Sequence, residues 1–155
     1  SNWARRGQEG ALLLSRHNLQ YWLNRPYLGL GAGAHGYAAG VRTANVLGIG
    51  AYIARCRDAA PRDFPLGPAL ANAVVVDETA AMQETMMVGL RLVELGVSNT
   101  QFMDRFGRAL TDVFGEQITR LAGQGLLEWQ NDRLRLTRRG RLLGNRVFME
   151  FVGEG

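Results

Sequence analysis

Lysine is absent from this 155-residue sequence, in which all 18 basic side chains are arginine. Solvated surfaces ordinarily carry both residues, so the absence reads as a compositional bias of the source genome rather than a binding signal. Cysteine is almost absent too. The single Cys56 excludes an internal disulfide framework, a Cys-only zinc site and an iron–sulfur cluster whose thiolates all come from this chain, and it favours a reducing, cytoplasmic setting. No apolar run approaches the roughly 18 to 20 residues that span a bilayer, and no charged-then-apolar secretory start is present. A soluble protein is expected, with room for peripheral membrane contact. The Ser1-Asn2-Trp3 start, lacking Met, raises either a tag scar or a missing upstream portion.

What is present is ordinary for a folded chain: 46% hydrophobic and 21% charged residues exclude disorder throughout. Glycine is abundant at 20 residues, which points to turns and close backbone approaches. A net charge of +4, with arginine crowding the last quarter, permits an anionic partner such as phosphate, propionate, nucleic acid or anionic lipid. Three of the 4 prolines fall between Pro61 and Pro68, where no helix can continue. The expected organisation is therefore a first domain over 1–60, a linker over 61–78 and a mainly helical domain over 79–155.

In the first part, Pro26–Leu30 predicts a short strand entering a glycine-rich turn, Gly31 to Gly36. Thr43–Arg57 predicts a helix striped by Val46, Ile49, Ile53 and Cys56, against which Gly48 and Gly50 count. A strand, a loop and a helix suggest a piece of an α/β layer. In the second part, Met86, Leu90 and Val93 give a helix over Thr79–Val93 one buried face. Ser98-Asn99-Thr100-Gln101 is a capping box, with Val97 placed to staple onto Phe102. A helix over 111–124 stops at Gly125, strands over 126–130 and 133–137 flank Asn131-Asp132, and Leu143, Val147 and Phe151 stripe a last helix over 138–152. This order resembles a winged-helix arrangement.

A winged helix raises nucleic-acid binding, with Arg133, Arg135, Arg138, Arg139 and Arg141 on phosphate. The helix that would enter a groove offers only Asp112, Glu116 and Arg120, so a solvated arginine face is the plainer account and no specific nucleic acid is expected. Gly31-Ala32-Gly33-Ala34-His35-Gly36 matches G-x-G-x-x-G, yet no helix starts inside it and Arg55 stands where an acidic ribose partner is needed, which disfavours a nicotinamide dinucleotide. Close backbone approach to another ligand stays open. The densest chemistry is His17-Asn18-Leu19-Gln20-Tyr21-Trp22: a His can ligate iron, and Tyr at i+4 with Trp at i+5 can offer flat apolar surface to a porphyrin. Asn18 can donate to a propionate or cap a turn. A packed, hydrogen-bonded corner explains the same residues.

Ser15–Trp22 and Tyr27–Gly36 strongly resemble HemW-type haem chaperones, relatives of the oxygen-independent coproporphyrinogen III oxidases in the radical S-adenosylmethionine superfamily. Met87–Leu92 with Gly96-Val97, Gly125–Leu127 and Leu136–Phe148 look like the C-terminal domain of the same family, and Ser1–Arg5 looks like family sequence. The resemblance implies a C-terminal portion: the end of an incomplete TIM-like barrel, α/β in class, followed by an α+β domain that is mainly helical and winged-helix-like. It implies a chain that binds haem and delivers it to respiratory haem proteins; the alternatives are a coproporphyrinogen dehydrogenase and a nucleic-acid module. It carries the HNxxYW haem motif onto His17, Asn18, Tyr21 and Trp22, with His17 as the iron ligand or its organiser, and brings Gly31, Gly33, Ala34 and His35 near S-adenosylmethionine. The [4Fe-4S] cluster would belong to an N-terminal half, without which no radical catalysis is possible here. Three departures stand out: Arg6 replaces an expected Pro, Gly10–Leu14 looks inserted, and Ser15 stands where a Cys is frequent.

Overall fold

The computed structural model describes residues 5–6, 12–13, 15–60 and 62–152. In chain order the elements are β1 (Arg5–Arg6), β2 (Leu12–Leu13), α1 (Arg16–Trp22), β3 (His35–Ala38), β4 (Val41–Asn45), α2 (Ile49–Arg57), β5 (Leu70–Val75), α3 (Glu78–Gly89), β6 (Val97–Ser98), α4 (Asn99–Phe106), α5 (Leu110–Gly123), β7 (Leu127–Gln130), β8 (Arg133–Leu136), α6 (Arg138–Leu142) and α7 (Gly144–Met149). They divide into two compact units, one made of 1–24 with 78–155 and one of 25–77. Of the Ser1–Arg5 opening and the Gly10–Leu14 stretch, only Arg5 and Leu12–Leu13 fall within the described residues, in the antiparallel pairing of β1 with β2.

The first unit closes around one core. Met82, Met86 and Leu90 recur at helical spacing along α3 and just beyond it, and pack with Phe102, Leu110, Phe114, Ile118, Leu121, Val147 and Phe151. Each such fully buried side chain contributes about 1.5–3 kcal/mol. Phe102, Phe114 and Phe151 meet in edge-to-face pairs, with ring centroids 6.2 and 5.4 Å apart. A three-stranded antiparallel sheet in the order β6-β8-β7 covers this core, and alternation along β8 buries Leu134 and Leu136. Gly140 packs so tightly on the Leu126 carbonyl that a Cβ there would collide with it.

The start of α4 matches its expected cap. The Ser98 hydroxyl accepts from the Gln101 N–H at 3.2 Å, and Val97 and Phe102 are both buried. Asp132 completes the cap from the β7–β8 turn, accepting from the Ser98 hydroxyl at 2.6 Å and from the Thr100 hydroxyl at 2.8 Å. The last helix differs from expectation. It breaks at Leu143 into α6 and α7, which leaves Leu143 39% exposed while Val147 and Phe151 stay buried.

The second unit is an antiparallel sheet, β3-β4-β5, with α2 between β4 and β5 in sequence. Ala39 and Gly40, at φ 48° and 71°, form the two-residue turn that joins β3 to β4. Several expectations are corrected here. The Pro26–Leu30 strand shrinks to one bridge, Tyr27 with Tyr37. The helix expected from Thr43 begins at Ile49, because Thr43, Ala44 and Asn45 pair with β5. The 61–78 segment expected as a linker carries β5, whose ladder hydrogen bonds make it part of this unit. The strands expected at the end of an incomplete TIM-like barrel pair antiparallel within this unit, β3 joined to β4 by a two-residue turn that only antiparallel neighbours allow.

Candidate functional site

Helix α1 carries the His17 motif. Ser15 caps it by accepting from the Asn18 N–H at 3.4 Å, and two residue pairs at i,i+4 spacing follow. His17 and Tyr21 are exposed; their rings meet edge to face at 5.2 Å, with Tyr21 Oη 3.3 Å from His17 Nε2. Asn18 and Trp22 share the neighbouring face and are half-buried. Chemically this is an accessible imidazole with one nitrogen shared with a phenol, beside a partly covered indole.

What fixes α1 in the first unit is Asn24. Buried and at φ 49°, it ends the helix, and its Nδ2 donates to the Ala81 carbonyl at 3.4 Å and the Thr85 hydroxyl at 3.3 Å on α3. Arg105 Nη1 donates to the Asn24 carbonyl at 2.7 Å, tying the same turn to α4. These bonds span 57 to 81 residues of sequence.

Gly31, Gly33, Ala34 and His35 belong to the second unit. The loop is held by its own unit: Asn45 Nδ2 donates to the Gly29 and Gly31 carbonyls at 3.1 and 3.0 Å, the Gly31 N–H donates to Tyr52 Oη at 3.1 Å, and the Gly33 N–H donates to the Val46 carbonyl at 2.8 Å. Several donors that a pyrophosphate cradle would aim at a ligand are thus already used. Gly31, at φ 111°, has nothing within 4 Å of where a Cβ would sit, so its outer face is open to close approach. His35 is exposed at the start of β3.

Among the described residues, no group of three or more His, Cys, Asp or Glu side chains is arranged to hold a metal ion. Nor is any helix among them long and apolar enough to cross a membrane.

Residues 76–143 match the family model described as HemN C-terminal domain. The chain is 40% identical over 154 residues to the heme chaperone HemW of Bacillus subtilis (strain 168), covering 99% of this chain and 37% of that protein. It is 37% identical over 138 residues to the heme chaperone HemW of Lactococcus lactis subsp. lactis (strain IL1403), covering 89% and 34%. Residues 76–143 thus carry the HemN C-terminal domain, and over nearly its whole length this chain is similar to a protein called heme chaperone HemW. In fold, this chain is similar to the solved coproporphyrinogen III oxidase (HemN) from Escherichia coli, a radical SAM enzyme, with a TM-score of 0.55 at 18% identity over 82% of this chain and 28% of that one. It spans little more than a third of the curated relatives it matches.

The motif on α1 is legible in the sequence, but the residues that position it are not. Asn24, Arg105 and Thr85 act across long sequence separations, and only the Leu23-Asn24-Arg25-Pro26 stretch, a plausible helix stop, hinted at one of them. Asn45 and Tyr52 were hidden inside a segment expected to be one helix.

Proposed function

We propose that this chain is the C-terminal portion of a haem chaperone, which binds haem through His17 and passes it to haem proteins. The observation that carries the reading is the exposed His17 imidazole on a helix that also presents Tyr21 and Trp22. Bound haem supplies the iron and a flat apolar face; His17 would ligate the iron, Trp22 would lie against the ring, and Asn18 would donate to a propionate. The Tyr21 hydroxyl competes for Nε2, so ligation through that nitrogen requires it to turn away. The relatives that are called heme chaperones favour this reading over a coproporphyrinogen dehydrogenase.

The finer architecture belongs to the same proposal. The order α3, β6, α4, α5, β7, β8 supports a winged-helix-like first unit used for packing. Asp112, in its third helix, already accepts from the Ala109 N–H at 3.0 Å, which argues against specific nucleic-acid reading. The second unit would adjoin a TIM-like partial barrel contributed by an N-terminal radical SAM half. Its outward Leu30, Leu47 and Val75 are surface for that half to cover. One cysteine, Cys56, does not fit a three-thiolate [4Fe-4S] site, so the cluster would be held elsewhere. The open face of Gly31, with Gly33, Ala34 and His35, fits a place beside S-adenosylmethionine.

The test is a titration of the 155-residue chain with ferric haem. A Soret shift is expected that His17→Ala abolishes, and that Tyr21→Phe keeps with equal or tighter binding because Nε2 loses its competitor. An unchanged spectrum in His17→Ala, with far-UV circular dichroism intact, removes His17 from the site.

A further inference from the structure

A second place in the first unit has the composition of a binding site. Beside the break between α6 and α7 lies a groove of about 450 Å³, whose lining includes Arg91, Arg141 and Arg146 together with Leu142, Leu143 and Phe148. None of its lining residues is acidic. Arg91 is set in place, its guanidinium 4.5 Å from the Phe148 ring centroid and its Nε donating to the Met87 carbonyl at 3.3 Å, so both terminal nitrogens remain for a ligand. Arg141 and Arg146 are exposed. Elsewhere in this unit Arg120 pairs with Glu150 and Arg135 with Glu128, whereas among the described residues neither Arg141 nor Arg146 has a carboxylate partner. Leu142, 85% exposed, lies next to these charges.

Guanidinium groups lining one groove favour an oxyanion there, and arginine's planar fork matches a carboxylate in particular. Exposed leucines beside them want apolar surface. We infer that this groove binds an amphipathic organic carboxylate, with the carboxylate on Arg91, Arg141 and Arg146 and the apolar body on Leu142, Leu143 and Phe148. The proposed function brings one such molecule to the protein, a propionate-bearing porphyrin, and the ligand's identity rests on that reading. The groove is separate from the His17 site. Asn24 anchors α1 at Ala81 and Thr85, whereas Arg91 follows the other end of α3, roughly 12 Å farther along a helix that rises about 1.5 Å per residue.

Metal-free protoporphyrin IX is the probe, because it has the propionates and lacks the iron that His17 would ligate. Fluorescence titration of the 155-residue chain should show binding that the double variant Arg141→Gln/Arg146→Gln weakens about tenfold and that the remote Arg108→Gln leaves within about twofold. Arg91 is left intact because it covers Phe148. The dimethyl ester of the porphyrin should lose binding to the same extent as the double variant. Equal binding of acid and ester, an unaffected double variant, the same loss in the remote Arg108→Gln, or displacement by inorganic phosphate alone would each overturn the proposal. Haem titration of the same variants separates the two sites: a Soret shift retained in His17→Ala sinks the α1 reading and leaves the groove standing.

Discussion

The two units solve the same problem by different means. The first buries 16 apolar side chains in one cluster, including Met86, Leu90, Leu110, Leu134 and Val147, none of which has measurable exposure. In the second, the buried apolar residues among those described are Tyr37, Ala38 and Ala69, while Leu30, Leu47 and Val75 are 84%, 85% and 79% exposed. Polar ties do the positioning there. Asn45 and Tyr52 hold the glycine loop, and Arg55 Nη1 donates to the Leu70 carbonyl at 2.7 Å to fasten α2 to β5. A net hydrogen bond contributes only about 0.5–1.5 kcal/mol, so a unit built this way has its conformation specified without being strongly stabilised. The lesson is that regular structure and stability are separable. The second unit's strands have partners, yet the apolar stripe that would drive its packing faces outward.

The strongest test of that contrast is truncation of one leucine in each unit. Leu134→Ala should cost about 3–5 kcal/mol in urea unfolding, since the site is enclosed and cannot collapse, whereas Leu47→Ala should change stability by less than about 0.5 kcal/mol. Hydrogen exchange should rank the amides likewise, with Leu90 and Val147 far better protected than Leu28 and Leu30. Equal protection would remove the distinction. Joining the chain to an upstream radical SAM half should raise protection in the second unit selectively, and no gain there would mean that its exposed leucines are not the covered surface proposed above.

A smaller effect sharpens the comparison through glycine. Gly140 in the first unit abuts the Leu126 carbonyl and Gly29 in the second abuts the His35 carbonyl, so a Cβ is excluded at both. Gly140→Ala should cost about 1–3 kcal/mol of global stability, because a packed core transmits the displacement. Gly29→Ala should mainly loosen the 29–35 loop, seen as faster exchange at Gly31 and Gly33 with little change in the unfolding midpoint. Comparable shifts in the midpoint would show the units to be energetically one.

What could be read in advance follows the same division. In the first unit the apolar period, the Ser98 cap, the Asn131-Asp132 turn and the stop at Gly125 all pointed the same way, and α4, α5, β7 and β8 fall within a residue or so of where they were expected to start or end. In the second, Val46, Ile49, Ile53 and Cys56 have helical spacing, but the stripe joins the end of a strand to a helix whose apolar face is exposed; periodicity reports a face without saying whether anything covers it. The Ala39-Gly40 turn lacks the usual Asn-Gly signal, which hid the meander. The site divided in the same way. The resemblance located His17 and Tyr21, whereas Asn24 acts on residues 57 or more positions away, beyond what any local pattern encodes.

The smallest effect concerns Asp132, where hydrogen bonds from the Ser98 and Thr100 side chains, then the Thr100 N–H and the Arg133 charge, hold the carboxyl below its ordinary value. A carboxylate at the N-terminus of α4 also suits the helix dipole. With the folded value lowered, the contribution is fully present above the ordinary carboxylate range. As pH falls through that range the unfolded chain takes up the proton first, so stability declines, and the contribution is gone once pH passes below the folded value. The group is exposed, so the amount is under about 1 kcal/mol. Asp132→Asn keeps the shape and much of the hydrogen bonding but removes the charge. Its deficit in urea unfolding should therefore be largest near pH 7 and close below about pH 4, with the exchange change confined to the first unit around Asn99–Gln101. A deficit that stays constant across that range would make Asp132 a geometric cap alone, and a matching change in β3–β5 would mean that the two units do not unfold as separately as their cores suggest.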